Sequence, residues 1–141
     1  MELSFAKLHG LGNDFVFIDD RDRALKLTDA QVSYLCDRHF GIGADGVILV
    51  RPATSEEGDG YMHYINADGT LAQMCGNGVR CFAKYLVDRE LADVASGHLL
   101  ADTLAGSRPI AFSVDAGGKM TEATVNMGAP ILDPALVPVD A

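Results

Sequence analysis

Apolar and polar positions along this 141-residue chain change period several times, and each change predicts an element. Residues 3–9 (Leu-Ser-Phe-Ala-Lys-Leu-His) alternate apolar and other side chains, the period of a strand. Gly10-Leu11-Gly12-Asn13-Asp14 breaks the alternation. Phe15-Val16-Phe17-Ile18 is then apolar at every position, which predicts a second strand buried on both faces. A hairpin or a bulged continuation would join the two, with Asn13 in the turn. Residues 19–26 are a polar loop. Thr28 and Gln31 are spaced as a capping box, and Val32, Leu35 and Cys36 share one face of a helix reaching residue 38. Cys36 on that face reads as a small buried hydrophobe. Gly41 and Gly43 stop the helix, and Val47-Ile48-Leu49-Val50 predicts a third strand.

After a loop over residues 51–60, Tyr61 to Asn66 reads as a strand, Asn66-Ala67-Asp68-Gly69 as a turn, and residues 70–74 as a short strand. That hairpin would bring Asn66 and Cys75 to neighbouring strand ends. Val79, Phe82, Ala83, Leu86 and Val87 recur at i, i+3, i+4, i+7 and i+8, predicting a helix over about 77–90. Cys81 and Tyr85 widen its apolar face beyond that of a surface helix, so sheet should wrap it on more than one side. Arg80, Lys84 and Asp88 occupy the rest. Residues 97–104, 109–115 and 120–127 are further strand candidates. The predicted fold is α/β (α+β), a curled, mainly antiparallel sheet wrapped around the 77–90 helix. Residues 1–126 make one domain. Residues 127–141 read as the start of an inter-domain connection or second domain, or as a tail that docks back.

Composition narrows the field. A length of 141 residues, 48% hydrophobic and 22% charged, suits one globular domain. A net charge of −9 argues against nucleic acid and anionic membrane surfaces as partners. The N-terminus has no basic segment followed by an apolar one, and no apolar run approaches the ~18 residues of a membrane span. The three cysteines contain no C-x-x-C pair, which argues against a disulfide framework and a zinc site. A reduced, cytoplasmic compartment is the simplest reading.

Two stretches carry candidate chemistry. Residues 41–46 match G-x-G-x-x-G, but a helix precedes them and a strand follows, the reverse of a dinucleotide site. Those glycines read as a helix-to-strand connection. Cys75 stands where the apolar segment meets the helix. A thiol there faces unpaired N–H groups and the positive end of the helix dipole, both of which favour thiolate. Gly76 and Gly78 let a ligand approach the backbone, so an anion site would adjoin the sulfur. A structural cysteine, a nucleophile and a proton-transfer group remain open on this basis. None of the four histidines stands in a recognisable context for a Cys–His nucleophile. Nothing marks a Schiff-base lysine either, so a carbon acid deprotonated here would depend on desolvation and N–H donors at its carboxylate.

Four ordered blocks then resemble the diaminopimelate epimerase family: residues 5–15 (Phe-Ala-Lys-Leu-His-Gly-Leu-Gly-Asn-Asp-Phe), Arg38-His39-x-Gly41-Ile42-Gly43-Ala44-Asp45-Gly46, Asn66-Ala67-Asp68-Gly69, and Cys75-Gly76-Asn77-Gly78-x-Arg80-Cys81. Val125-Asn126-Met127-Gly128-x-Pro130 resembles the family's crossing between its two halves. The resemblance implies an N-terminal epimerase domain, with residues 127–141 beginning the connection. It also implies cofactor-independent interconversion of LL- and meso-diaminopimelate, on the lysine and peptidoglycan route, by two cysteines on opposite sides of a cleft. Cys75 would be the first of them. Gly76 and Asn77 would bind substrate carboxylate through their backbone, and Asn13 and Asn66 would contact substrate through their amides. Where some relatives carry a substrate-contacting Gln, this chain has Gly46. Neither Cys36 nor Cys81 can be the opposing base; Cys81 lies roughly 9 Å along the helix from Cys75. The expected partners are the small-molecule substrate, the C-terminal half of the enzyme and, through an apolar face left uncovered, a second copy as homodimer. The isolated chain is expected to be inactive. A non-catalytic ligand- or partner-binding domain and a proline racemase-like enzyme are the alternative readings.

Overall fold

The computed structural model describes residues 2–137. Its strands are β1 (Ala6–Gly10), β2 (Asn13–Asp19), β3 (Gly46–Arg51), β4 (Gly60–Asn66), β5 (His98–Thr103), β6 (Gly106–Val114) and β7 (Met120–Val125). Helix α1 (Asp29–Cys36) follows β2, and α2 (Gly76–Asp88) follows β4. The seven strands form one sheet in sequence order. β2–β3 and β4–β5 are parallel, each joined through a helix, and the other neighbours are antiparallel. The sheet is therefore mainly antiparallel, as the pattern predicts, with a parallel pair wherever a helix makes the crossover.

Continuous apolar runs in β2 and β3 have a direct cause: a helix lies on each face. Phe15, Phe17, Ile48 and Val50 pack with Val79, Phe82 and Leu86 of α2. The alternate residues Val16, Ile18, Val47 and Leu49 pack with Val32 and Cys36 of α1. Period-two alternation thus divides one strand between two cores. Cys36 is buried, as its place on the apolar face of α1 predicts. α1 opens on the capping box: Thr28 accepts from the Gln31 N–H, and the Gln31 side chain accepts from the Thr28 N–H.

α2 buries Val79, Cys81, Phe82, Ala83, Tyr85, Leu86 and Val87 and touches β1, β2, β5 and β7. Strands from both ends of the sheet reach one helix, so the sheet curls around it. Arg80 and Lys84 look into the remaining gap between β1 and β7, a groove of about 660 Å³. Asp88 ties the helix to β7 by accepting from the Met120 N–H at 2.7 Å, and Lys84 Nζ donates to the Met120 carbonyl at 2.8 Å.

Three local expectations change. Residues 70–74 are not a strand; Leu71 makes a single bridge to Ile65. Asp68 Oδ1 takes both the N–H and the hydroxyl of Thr70, and after Ala72 the chain leaves β4 to start α2. Asn13 is the first residue of β2, paired with Gly10, so it closes the turn as its last residue rather than lying at its centre. The centre is Leu11-Gly12, both at positive φ (55° and 86°), the geometry of a type I′ hairpin. β6 begins at Gly106, earlier than the pattern suggests, because Leu104-Ala105 forms a tight hairpin with Thr103 opposite Gly106. Residues 126–133 carry no regular structure and expose Ile131 and Leu132, followed by a short 3-10 turn at Pro134–Leu136. Residues 138–141 of the expected connection lie outside the described residues.

Candidate active site

Cys75 is the N-cap of α2, with extended backbone (φ −145°, ψ 123°) and no side-chain cap on the first turn. Its carbonyl accepts from the Val79 N–H at 2.8 Å, which begins the helix. The earliest N–H groups of a helix have no partner within it. Here they border an open cleft of about 360 Å³ lined by Cys75, Gly76, Asn77, Arg80, Val125 and Met127. A Cβ on Gly76 would meet only the end of the Met127 side chain, at 3.5 Å. The backbone of the first turn is thus approachable from solvent, as the glycine spacing predicts.

The β1–β2 hairpin closes on this turn. A Cβ at Gly10 would lie 3.3 Å from the Arg80 guanidinium and from Asn77, so glycine permits the approach. Asn13, at the start of β2, then meets α2. Its Oδ1 faces Cys75 Sγ at 3.5 Å and accepts from Asn77 Nδ2 at 3.2 Å. Arg80 in turn donates to Asn77 Oδ1. On the other side, Asn13 Nδ2 donates to Asp45 Oδ2 at 2.7 Å.

Asp45 belongs to an ion network that the sequence pattern did not single out. Arg38 grips Asp14 with two hydrogen bonds, at 3.0 and 2.8 Å, and reaches Asp45 at 3.1 Å. Lys7 adds a contact to Asp14 at 3.1 Å. The Arg38 guanidinium, with help from Lys7, holds the Asp14 carboxyl well below the usual carboxylate range. These residues fall inside the recognised blocks, but their local context reads only as turn and connection. Nothing local shows that residues 14, 38 and 45 converge.

Of the predicted site residues, Asn13, Cys75, Gly76 and Asn77 come together. Asn66 sits at the end of β4, opposite Gly46, at the same end of the strands as Asn13. Its amide donates to the Thr70 hydroxyl at 3.1 Å. Among the described residues, no hydrogen bond links it to Cys75 or Asn13. Cys36 and Cys81 are buried, and burial pushes the Cys81 thiol up to about 11. Among the described residues no histidine hydrogen-bonds Cys75, no acidic, histidine and cysteine cluster fits a metal ion, and no helix is long and apolar enough to cross a membrane.

A likeness to solved structures shows the fold. Methylitaconate-delta-isomerase superposes with a TM-score of 0.68 at 13% identity, over 84% of this chain and 36% of that one. A hydroxyproline epimerase from Agrobacterium vitis superposes with a TM-score of 0.64 at 16% identity, over 86% and 40%. Sequence relatives are nearer. Diaminopimelate epimerase of Leptospira biflexa is 40% identical over 139 residues, 99% of this chain and 48% of that protein. The enzyme of Burkholderia thailandensis is 46% identical over 141 residues, 99% and 46%. The chain thus spans about half the length of the curated relatives it matches. The family model for diaminopimelate epimerase matches residues 5–132, a span that holds every block around the Cys75 cleft, and the chain belongs to that family.

Proposed function

We propose that this chain supplies one side of a cofactor-independent active site that interconverts LL- and meso-diaminopimelate, with Cys75 exchanging a proton at the substrate α-carbon. The observation that carries the reading is Cys75 at the uncapped start of α2, on an open cleft, within a chain of this family. The setting suits the chemistry. An α-proton of an amino acid is very weakly acidic, and removing it places charge on the carboxylate. The backbone N–H groups of Gly76 and Asn77 supply donors where that charge develops. In the forward step the C–H bond breaks, its electron pair spreads into the carboxylate, and the proton forms an S–H bond on Cys75. An acid on the opposite face then returns a different proton to carbon, which inverts the centre. Run in reverse, Cys75 is the acid.

Asn13 and Asn66 are proposed to contact substrate through their amides. Asn66 would release Thr70 to do so. The opposing acid or base is proposed to come from polypeptide outside these residues, the C-terminal half of the enzyme. Cys36 and Cys81 are buried in the two cores and cannot reach the cleft. Action in the cytoplasm, on the route to lysine and peptidoglycan, and assembly with a second copy belong to the same proposal.

Incubation with diaminopimelate in deuterated water tests it. The full-length protein should exchange the α-proton with inversion, and Cys75→Ala in that protein should abolish both. The isolated 141-residue chain should give no inversion. Inversion by the isolated chain, or an unaffected Cys75→Ala variant, would overturn the assignment. Parallel incubation with proline separates this activity from a proline racemase-like one.

A further inference from the structure

Asn13, Asn77 and their neighbours form a hydrogen-bond chain with a direction. An amide presents oxygen on one side and NH₂ on the other, and either orientation fits the same space. Here both ends of the chain are charged and neither can change role. Arg80 can only donate, so it takes Asn77 Oδ1 and turns Asn77 Nδ2 toward Asn13. Asp45, an ionised carboxylate, can only accept, so it takes Asn13 Nδ2 at 2.7 Å. The oxygen of Asn13 is left facing both Asn77 Nδ2 and Cys75 Sγ.

The Asp45 carboxylate is itself held firmly. Its Oδ2 also accepts from the Asp14 N–H at 3.1 Å, and its Oδ1 accepts from Arg38 at 3.1 Å. The backbone N–H of Asp45 returns to the Asp14 carbonyl at 2.9 Å. A reversed Asn13 would set its oxygen against this carboxylate and its NH₂ against that of Asn77. Both contacts are repulsive.

We propose that Asp45 is a positioning residue that acts on Cys75 through Asn13, fixing the amide so that an acceptor oxygen faces the sulfur. An acceptor there takes a hydrogen bond from S–H and offers nothing to S⁻, so it favours the proton-donating form of Cys75 against the pull of the α2 N-terminus toward thiolate. Substrate drawing the Asn13 amide to itself would remove that acceptor and release the cysteine for the opposite role. The proposal rests on the reading of Cys75 as a proton-transfer group, but its test needs no turnover.

The test is the rate at which iodoacetamide alkylates Cys75 near neutral pH, read by peptide mass spectrometry on the purified protein. Only thiolate reacts appreciably. Asp45→Ala, which leaves Asn13 Nδ2 no acceptor at that position, should raise the rate about five-fold, the weight of one ordinary hydrogen bond. In an Asn13→Ala background the same change should do nothing, because the route from Asp45 to sulfur is gone. A rise in both backgrounds would mean a direct charge effect, and no rise in either would mean that Asp45 does not set the amide. Both results overturn the proposal. If Asp45→Ala does not fold, as judged by circular dichroism, Asp45→Ser removes the reach to Asn13 and is read in the same two backgrounds. Loss of epimerisation plays no part in these outcomes, so failure here is distinct from failure of the epimerase assignment.

Discussion

The Sγ of Cys75 lies 3.5 Å from Oδ1 of Asn13, across 62 residues of sequence. The contact joins the start of α2 to the start of β2. It exists because Gly10 and Asn13, the strand ends flanking the β1–β2 turn, lie against the first turn of the helix, which the glycine at position 10 allows to come close. It places Cys75 apart from the other two cysteines in both exposure and company.

Alkylation should therefore discriminate sharply. In the folded protein iodoacetamide should modify Cys75 and leave Cys36 and Cys81 intact, since both are buried and burial pushes both thiols up. In concentrated urea all three should react. Mass mapping of the native reaction gives the answer, and early modification of Cys81 would show that α2 is not enclosed as described.

The same burial predicts an alkaline limit. The Cys81 thiol goes from 9.0 to about 11 on folding, because desolvation disfavours its charged form. Its contribution is complete below pH 9 and lost as pH rises through about 11. Urea midpoints should fall over that interval, and Cys81→Ala should flatten the fall, though at some cost in packing. Tyr64, pushed up to about 12 by burial, adds a loss at higher pH that the variant retains.

Acid should act through Asp14. Its carboxyl sits below the ordinary 3.8 because Arg38 and Lys7 bind the ionised form. The stabilisation is present above that value and disappears as pH falls below it. The loss of stability between pH 5 and pH 2 should be smaller in Arg38→Gln than in the unaltered protein. Equal losses would mean that the network contributes nothing to folding.

Asp102 should prove a structural anchor. It is buried and accepts from the N–H groups of Thr54 and Ser55, at 2.9 and 2.8 Å, and from the hydroxyls of Ser55 and Ser107. Asp102→Ala strands those donors and should cost about 2–4 kcal/mol. Hydrogen exchange should show residues 52–59 opening before the sheet does.

Gly46 has no room for a side chain. A Cβ there would strike the Tyr64 ring and lie 2.7 Å from the Ile65 carbonyl oxygen. Gly46→Ala should destabilise by about 1–3 kcal/mol. Tyr64→Leu should not restore it, because the carbonyl is backbone and does not move with the ring. Chemical denaturation of the single and double variants checks both statements.

Local pattern was enough for the elements that face apolar surroundings. The uninterrupted run at residues 15–18 announced a strand between two layers, because only burial on both faces removes the need for polar alternation. The stripe from Val79 to Val87, broadened by Cys81 and Tyr85, announced a helix enclosed by sheet for the same reason. Thr28 and Gln31 announced their own cap, since its partners are three residues apart. Residues 70–74 misled because their pattern suits a strand, whereas among the described residues they make one bridge to β4, and the Gln73 carbonyl turns to the Ala105 N–H.

What neighbouring residues cannot encode is convergence from a distance. The sequence marked Cys75, Gly76 and Asn77 as the start of a helix, and it marked Asn13 through family resemblance. That an oxygen of Asn13 faces the thiol is a tertiary fact. It depends on the hairpin lying against α2, on Arg80 fixing Asn77, and on Asp45 being held by Asp14 and Arg38. Hydrogen-bond direction depends on which charged group stands at each end of a chain of amides, and only the fold brought those ends together.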